Sequence, residues 1–424
     1  MLSKELQDNY IRILEEELIP AMGCTEPIAL AYAGAKAREV LGKLPERVVA
    51  KCSGNMIKNV RCVVIPNTGG MVGIESGVMA GIVGGDASKC MEVLLSMTPE
   101  TIAQTRNMIQ DGVCTVEFLD TPIPLHIILE LYAGEESSSI EIKHAHTNIT
   151  KLTKNGEILF EKAEEDSSKY SYADRSMLNI KGIKEFADEV DVELIRDLLD
   201  KQIRCNMDIA YEGMARDYGL GIGRVIKESY PENVVTRMKY YTAAASEARM
   251  GGCDMPVVIN SGSGNQGITS SVPVIVYARE KDICQEKLYR ALAFSNLLTI
   301  YQKEFIGKLS AFCGAVSASC SSGAAVTYLA GGDLNAIKDT IENTLADIPG
   351  IICDGAKISC AAKIATSLDA ALMAHHLAMH GKAYEGSTGI LKDEIGQTIS
   401  SVGYIGREGM RQTDKEIIRI MLDK

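Results

Sequence analysis

The hydrophobic period of this chain changes twice, and that change limits the folds open to it more than any other feature. Near the start, Tyr10, Ile13, Leu14 and Leu18 lie at helical spacing, which predicts a helix over 4–19 with Ser3 as its N-cap and Pro20 as its stop. A second helix is expected from Pro27 to near Gly42, rich in small residues that suit close packing. From Arg47 the pattern becomes short runs of Val, Ile and Thr, and 48–52, 60–65, 113–119, 126–132, 138–146 and 151–152 predict strands. Asn155-Gly156 ahead of Ile158-Leu159-Phe160 predicts a tight hairpin, because both turn residues tolerate positive φ. After the polar stretch 164–169 the helical period returns and persists, broken by Gly-rich loops. The expected fold is α+β: a mainly helical domain of residues 1–44 and 170–424 carrying a smaller sheet-bearing unit at 45–169.

A chain of 424 residues, 46% hydrophobic and 24% charged, has material for two or three domains with ample core. Its 44 Lys and Arg against 56 Asp and Glu give a net charge of −12, which repels phosphate backbones and anionic lipid. Neither nucleic acid nor a membrane is an expected partner; a homo-oligomer stays open. Residues 1–6 lack the apolar core of a secretory signal. Residues 69–85, the most membrane-like stretch, contain Glu75 and fall short of the roughly 20 apolar residues a span needs, so they read as a buried Gly-rich helix. The expected location is the cytoplasm. There, twelve cysteines serve as core residues, metal ligands or catalysts rather than as disulfides.

Cys24, in Gly23-Cys24-Thr25-Glu26-Pro27, stands just before the second helix, where unpaired N–H groups and the helix dipole favour a thiolate. It is a candidate base or nucleophile, or else a small buried cap residue. Cys313 and Cys320, then Cys353 and Cys360, form two pairs whose separations match neither zinc fingers nor compact ferredoxin runs. They are metal ligands or apolar helix residues. The loop Asn260-Ser261-Gly262-Ser263-Gly264-Asn265-Gln266-Gly267 follows an apolar run and exposes backbone N–H groups and hydroxyls, which suits a carboxylate or phosphate; a flexible loop is the plain reading. His144 and His146 would share one strand face, and His146 is a substrate-contact candidate. His376 and His380, four apart on a helix, lack the Glu of a zincin pattern and read as packing or surface residues.

Taken together, these segments resemble the L-cysteine desulfidase family (UPF0597), which is related to the alpha chain of iron–sulfur L-serine dehydratases. Gly23-Cys24-Thr25-Glu26-Pro27 is similar to the family's N-terminal motif, and residues 260–267 resemble its Ser/Gly/Asn loop. Phe312-Cys313-Gly314, Ser319-Cys320-Ser321, Cys353-Asp354-Gly355 and Ser359-Cys360 are similar to the cysteine-bearing segments of the dehydratases. The resemblance implies a [4Fe-4S] cluster held by Cys313, Cys353 and Cys360, with Cys24 as proton acceptor and Cys320 left to packing. It implies β-elimination of L-cysteine to pyruvate, ammonia and hydrogen sulfide; Ser261, Ser263 and Asn265 are then expected to hold the carboxylate of the small-molecule substrate by charge-assisted hydrogen bonds, with His146 as the further contact candidate. The dehydratases follow the middle cysteine with Asp-Pro and a longer gap. Asp354-Gly355 with six intervening residues departs from that pattern and puts serine as substrate in doubt.

Three other readings compete. One is an L-serine dehydratase-like deaminase of another β-substituted amino acid. Another is a pyridoxal phosphate lyase, suggested by Ser263-Gly264-Asn265, which needs a Schiff-base lysine that no motif here marks. The third is a non-catalytic, zinc-stabilised protein on the same fold.

Overall fold

The computed structural model describes residues 2–163, 173–307 and 310–421, so the polar stretch expected to separate the two units lies outside the described residues. The chain opens with α1 (Lys4–Glu17), β1 (Pro20–Met22), α2 (Thr25–Leu41), β2 (Arg47–Ser53), α3 (Gly54–Val60), α4 (Ile74–Gly84) and α5 (Pro99–Gln110). Five strands follow: β3 (Cys114–Leu119), β4 (His126–Ala133), β5 (Glu136–Lys143), β6 (Ile149–Lys154) and β7 (Glu157–Glu161). The rest is helical except for β8 (Pro256–Val258). It comprises α6 (Ile180–Glu189), α7 (Arg196–Ala215), α8 (Ile222–Ser229), α9 (Val234–Met250), α10 (Gly264–Glu280) and α11 (Gln285–Ile306), then α12 (Gly314–Leu329), α13 (Leu334–Asp347), α14 (Cys360–Met379), α15 (Ile395–Tyr404) and α16 (Arg411–Met421). The fold is α+β, as the two periods imply.

Strand order in the six-stranded sheet is β3-β2-β4-β5-β6-β7, antiparallel throughout except for the parallel β2–β3 pair. Ile127, Leu129 and Leu131 alternate inward on β4 and are fully buried, while α2 packs on β4 and β5. The Asn155-Gly156 turn has both residues at positive φ, as its sequence demands. Ser3 caps α1 through Leu6 N–H, and Gly42 closes α2 in the left-handed conformation.

Two strand expectations fail. Residues 60–65 are the end of α3 and a loop with one isolated bridge, Val64 to Val72. Val60, Val63 and Ile65 are buried from that loop, and a short apolar run reads alike in a strand and in a core-facing loop. Strand β5 stops at Lys143, because His144 takes φ 68° and Asn148 donates its side-chain amide to Lys143 O. His144 and His146 therefore share no strand face. Residues 69–85 contain the 11-residue helix α4, and among the described residues no helix is long and apolar enough to cross a membrane.

β1 pairs with β8, Pro20 against Val258, which brings residue 24 and the 260–267 loop to the same end of the helical layer. Beneath the loop lies a fully buried polar knot. Asn296 exchanges two bonds with Gln202, at 2.8 and 3.1 Å, and its Oδ1 also accepts from Asn260 Nδ2 at 2.9 Å and from Ser270 Oγ at 3.1 Å. Such a network is stable only while every member is satisfied. Replacing Asn296 with Ala strands the Gln202 amide in the core and leaves Asn260 Nδ2 only its bond to the residue 296 carbonyl, and should cost about 2–4 kcal/mol in equilibrium denaturation. A loss below about 1 kcal/mol would show that the knot does not hold the loop.

Candidate functional site

Four helices begin at one cavity. Cys24 is the N-cap of α2, Ser263 of α10 and Cys313 of α12, while Cys360 is the first residue of α14. Each start leaves backbone N–H groups without intrahelical partners and adds a positive partial charge, so the enclosed space favours anions. The cavity measures about 770 Å³ including its mouth, and Cys24, Cys313, Cys353, Cys360, Ser261, Ser263, Asn265 and His146 all line it. Cys320 does not; it is buried within α12 against core side chains.

The 40-residue separation of Cys313 and Cys353 is closed by a small antiparallel ribbon. Phe312 bridges Ile352, Cys313 N–H donates to Ile351 O at 2.8 Å, and Cys353 N–H donates to Ala311 O at 2.7 Å. Beyond Cys353 the chain turns at Gly355, whose φ is 97° and where a Cβ would stand 2.2 Å from Lys58 O. Only glycine fits that approach, and it returns the chain to present Cys360. The Asp354-Gly355 step thus has a steric cause.

The thiols differ in character. The Cys313 thiol donates to Cys353, and that bond is the main reason Cys353 lies below the ordinary thiol range; Lys58, Gly355 N–H and Lys363 add to it against the effect of burial. Cys313 is pushed well up by the same bond and by burial, and burial raises Cys360. Lys58 is almost fully buried and bonds Asp414 Oδ1 at 2.5 Å; Lys363 donates to Asp354 Oδ1 at 2.7 Å and Ile352 O at 2.8 Å. Among the described residues no set of three His, Cys, Asp or Glu is arranged to hold a single metal ion. Cluster thiolates bind different irons and need not meet at one point. Three cysteines on one cavity wall, backed by two lysines and helix N-termini that offset thiolate charge, fit that kind of group.

Cys24 occupies the expected place but not the expected state. Burial, then the neighbouring Glu26 carboxylate, pushes its thiol well up, outweighing Arg249 and the helix start. Its Sγ donates to Glu26 Oε2 at 3.1 Å, while Asn59 Nδ2 donates to Glu26 Oε1 at 3.0 Å. The Thr25 hydroxyl lies 2.7 Å from Gly262 O and 3.0 Å from Glu26 Oε2, linking both loops. In the 260–267 loop, Ser261 takes φ 49° and donates to Asn260 Oδ1 at 2.8 Å, so its proton faces inward. Asn265 Oδ1 accepts from Ser246 and from Arg249 Nη1, each at 3.1 Å, which turns its NH2 away from them. His146 stands beside Gly262, where a Cβ would come 2.9 Å from its ring.

Sequence reading missed Glu26, Asn59, Lys58 and Arg249. The available signal was Arg249 at the end of Ala243-Ala244-Ala245-Ser246-Glu247-Ala248, a charge following a run too small and apolar for a solvated helix face.

A profile of the serine dehydratase alpha chain family matches residues 81–419. A UPF0597 protein of Lachnoclostridium phytofermentans is 48% identical over 97% of this chain and 99% of its own length. Another, from Desulfitobacterium hafniense, is 47% identical over 98% of this chain and 96% of its own. A third, from Oleidesulfovibrio alaskensis, is 37% identical over 98% of each.

A raised Cys24 pKa means that its thiolate fraction is still climbing above the ordinary thiol range. Alkylation followed by peptide mapping should therefore show Cys24 reacting at least about tenfold more slowly than exposed Cys62 at pH 8. Glu26→Gln removes a cause of the rise and should move the onset of reaction to lower pH. An unmoved onset would remove Glu26 from control of this thiol.

Proposed function

The chain belongs to the UPF0597 group of the serine dehydratase alpha chain family, and from that premise we propose that it is an L-cysteine desulfidase. The reaction is β-elimination of L-cysteine to pyruvate, ammonia and hydrogen sulfide. The observation that carries the reading is the convergence of Cys24, Cys313, Cys353 and Cys360 on one anion-favouring cavity. Cys313, Cys353 and Cys360 would hold a [4Fe-4S] cluster, which when bound by only three thiolates supplies an open iron that acts as a Lewis acid on the leaving group.

The chain's own residues do the rest. Ser263 and the Asn265 NH2, at the start of α10, bind and orient the amino acid, with His146 closing the rim. Cys24 is the proton acceptor. Its thiol proton passes along the existing hydrogen bond to Glu26, and the resulting thiolate takes the Cα proton. The Cα–H electrons form the Cα–Cβ double bond while the Cβ–S pair leaves with sulfide. Released aminoacrylate becomes the imine, and water hydrolyses it to pyruvate and ammonia. Leu125 and Phe312 on the wall keep part of the cavity apolar. The acidic composition and twelve free cysteines support a cytoplasmic enzyme acting on a small molecule.

Protein purified without oxygen tests the assignment. Cys24→Ala should retain the parent iron content while sulfide release from L-cysteine falls by about 10²–10⁴-fold, the range for loss of a proton-transfer group. Sulfide release at the parent rate would exclude Cys24 as the acceptor.

A further inference from the structure

Arg249 is the largest fully buried side chain among the described residues, and it lines the cavity from the last turn of α9. Its guanidinium is always charged, yet among the described residues no carboxylate lies within ion-pair distance of it. Nε donates to Gly23 O at 2.8 Å and Nη1 to Asn265 Oδ1 at 3.1 Å, both neutral acceptors; Nη2 is buried and has no partner. The backbone at the start of α10 presses on the group, since a Cβ on Gly264 would come 2.2 Å from Nε. The position is therefore held by Gly23, Asn265 and Gly264 together, from the segments that carry Cys24 and the 260–267 loop. A buried, fixed cation with an unused donor costs several kcal/mol unless an anion completes it. Gln266, which lines the same cavity, also has its Oε1 buried without a partner. An unused donor on a cation and an unused acceptor, both from residues lining one cavity, match the carboxylate and ammonium of a zwitterion.

We propose that Arg249 is the carboxylate anchor of the site, binding the α-carboxylate of the amino-acid substrate through Nη2, with Gln266 Oε1 accepting from its ammonium group. The ligand class is α-amino acids with a free carboxylate. This deepens the lyase reading and rests on it for the identity of the substrate, but not for the anion specificity of the cavity. Ser263 and Asn265 then orient a carboxylate whose charge Arg249 neutralises, and Ser261, its proton turned to Asn260, is a loop-shaping residue.

The test uses anaerobically purified holoprotein and two probe pairs: L-cysteine against its methyl ester for sulfide release, and unreactive L-alanine against L-alaninamide for calorimetric binding. The parent should prefer the acid in each pair by about 10- to 100-fold, the worth of a charge-assisted hydrogen bond. Arg249→Gln should raise KM for L-cysteine by about that factor, cost the ester far less and leave the iron content unchanged, while Arg249→Lys should recover part of the loss. A parent that takes the ester and the amide as well as the acids overturns the proposal without any variant. So does an Arg249→Gln protein that loses iron or weakens on acid and ester equally, since that behaviour belongs to a counter-ion of the thiolates. If no protein releases sulfide but L-alanine binding still depends on Arg249, the elimination reading falls and the carboxylate anchor stands.

Discussion

The positive field made by four helix starts facing one cavity is the constraint around which this molecule is arranged. Backbone N–H groups at Cys24, Ser263, Cys313 and Cys360 all favour negative charge in the same space, and Arg249 adds a full cation that has no carboxylate within ion-pair distance among the described residues. Such a space is costly to leave without anions. In the proposed function, thiolates at Cys313, Cys353 and Cys360 and the carboxylate of a bound amino acid would answer it, and the Glu26 carboxylate beside Cys24 sits in the same field. The same field explains how a protein of net charge −12 can present a pocket that favours anions.

Holding that geometry takes the rest of the fold. The β1–β8 pair fixes residue 24 relative to the 260–267 loop, and the Thr25 hydroxyl joins them again at Gly262. The ribbon of Phe312 and Ile352 fixes Cys313 beside Cys353, and the Gly355 turn against Lys58 sets Cys360. Lys58 is buried between this turn and Asp414 of α16, so the last described helix is tied electrostatically to the cysteine wall. Below, the Asn296 knot fixes the floor of the loop with side-chain hydrogen bonds, which are directional where apolar packing is not.

The α+β character, the hairpin at Asn155-Gly156 and the first helix were legible because hydrophobic period and turn chemistry act locally. So was the position of Cys24 at a helix start. The state of Cys24 was not, because it depends on Glu26 turning inward, and that turn depends on Asn59, 33 residues away, donating to its carboxylate. An acidic residue in a first helical turn ordinarily faces water and complements the dipole. The small apolar run before Arg249 signals its burial but not its place at the cavity, which follows from packing against Gly23 and Gly264, positions that no window of sequence brings together. Residues 60–65 show the converse, a strong local apolar signal spent on a buried loop.

In the proposed function Cys313, Cys353 and Cys360 would hold a four-iron cluster with one iron open to substrate. Mössbauer and electron paramagnetic resonance spectra of anaerobically reconstituted protein, recorded before and after addition of L-cysteine, test it most directly. The expected result is a [4Fe-4S] signature in which one iron site differs from the other three and shifts when L-cysteine binds. Protein that takes up no cluster under reconstitution, or a cluster whose four irons are all indifferent to L-cysteine, would contradict it.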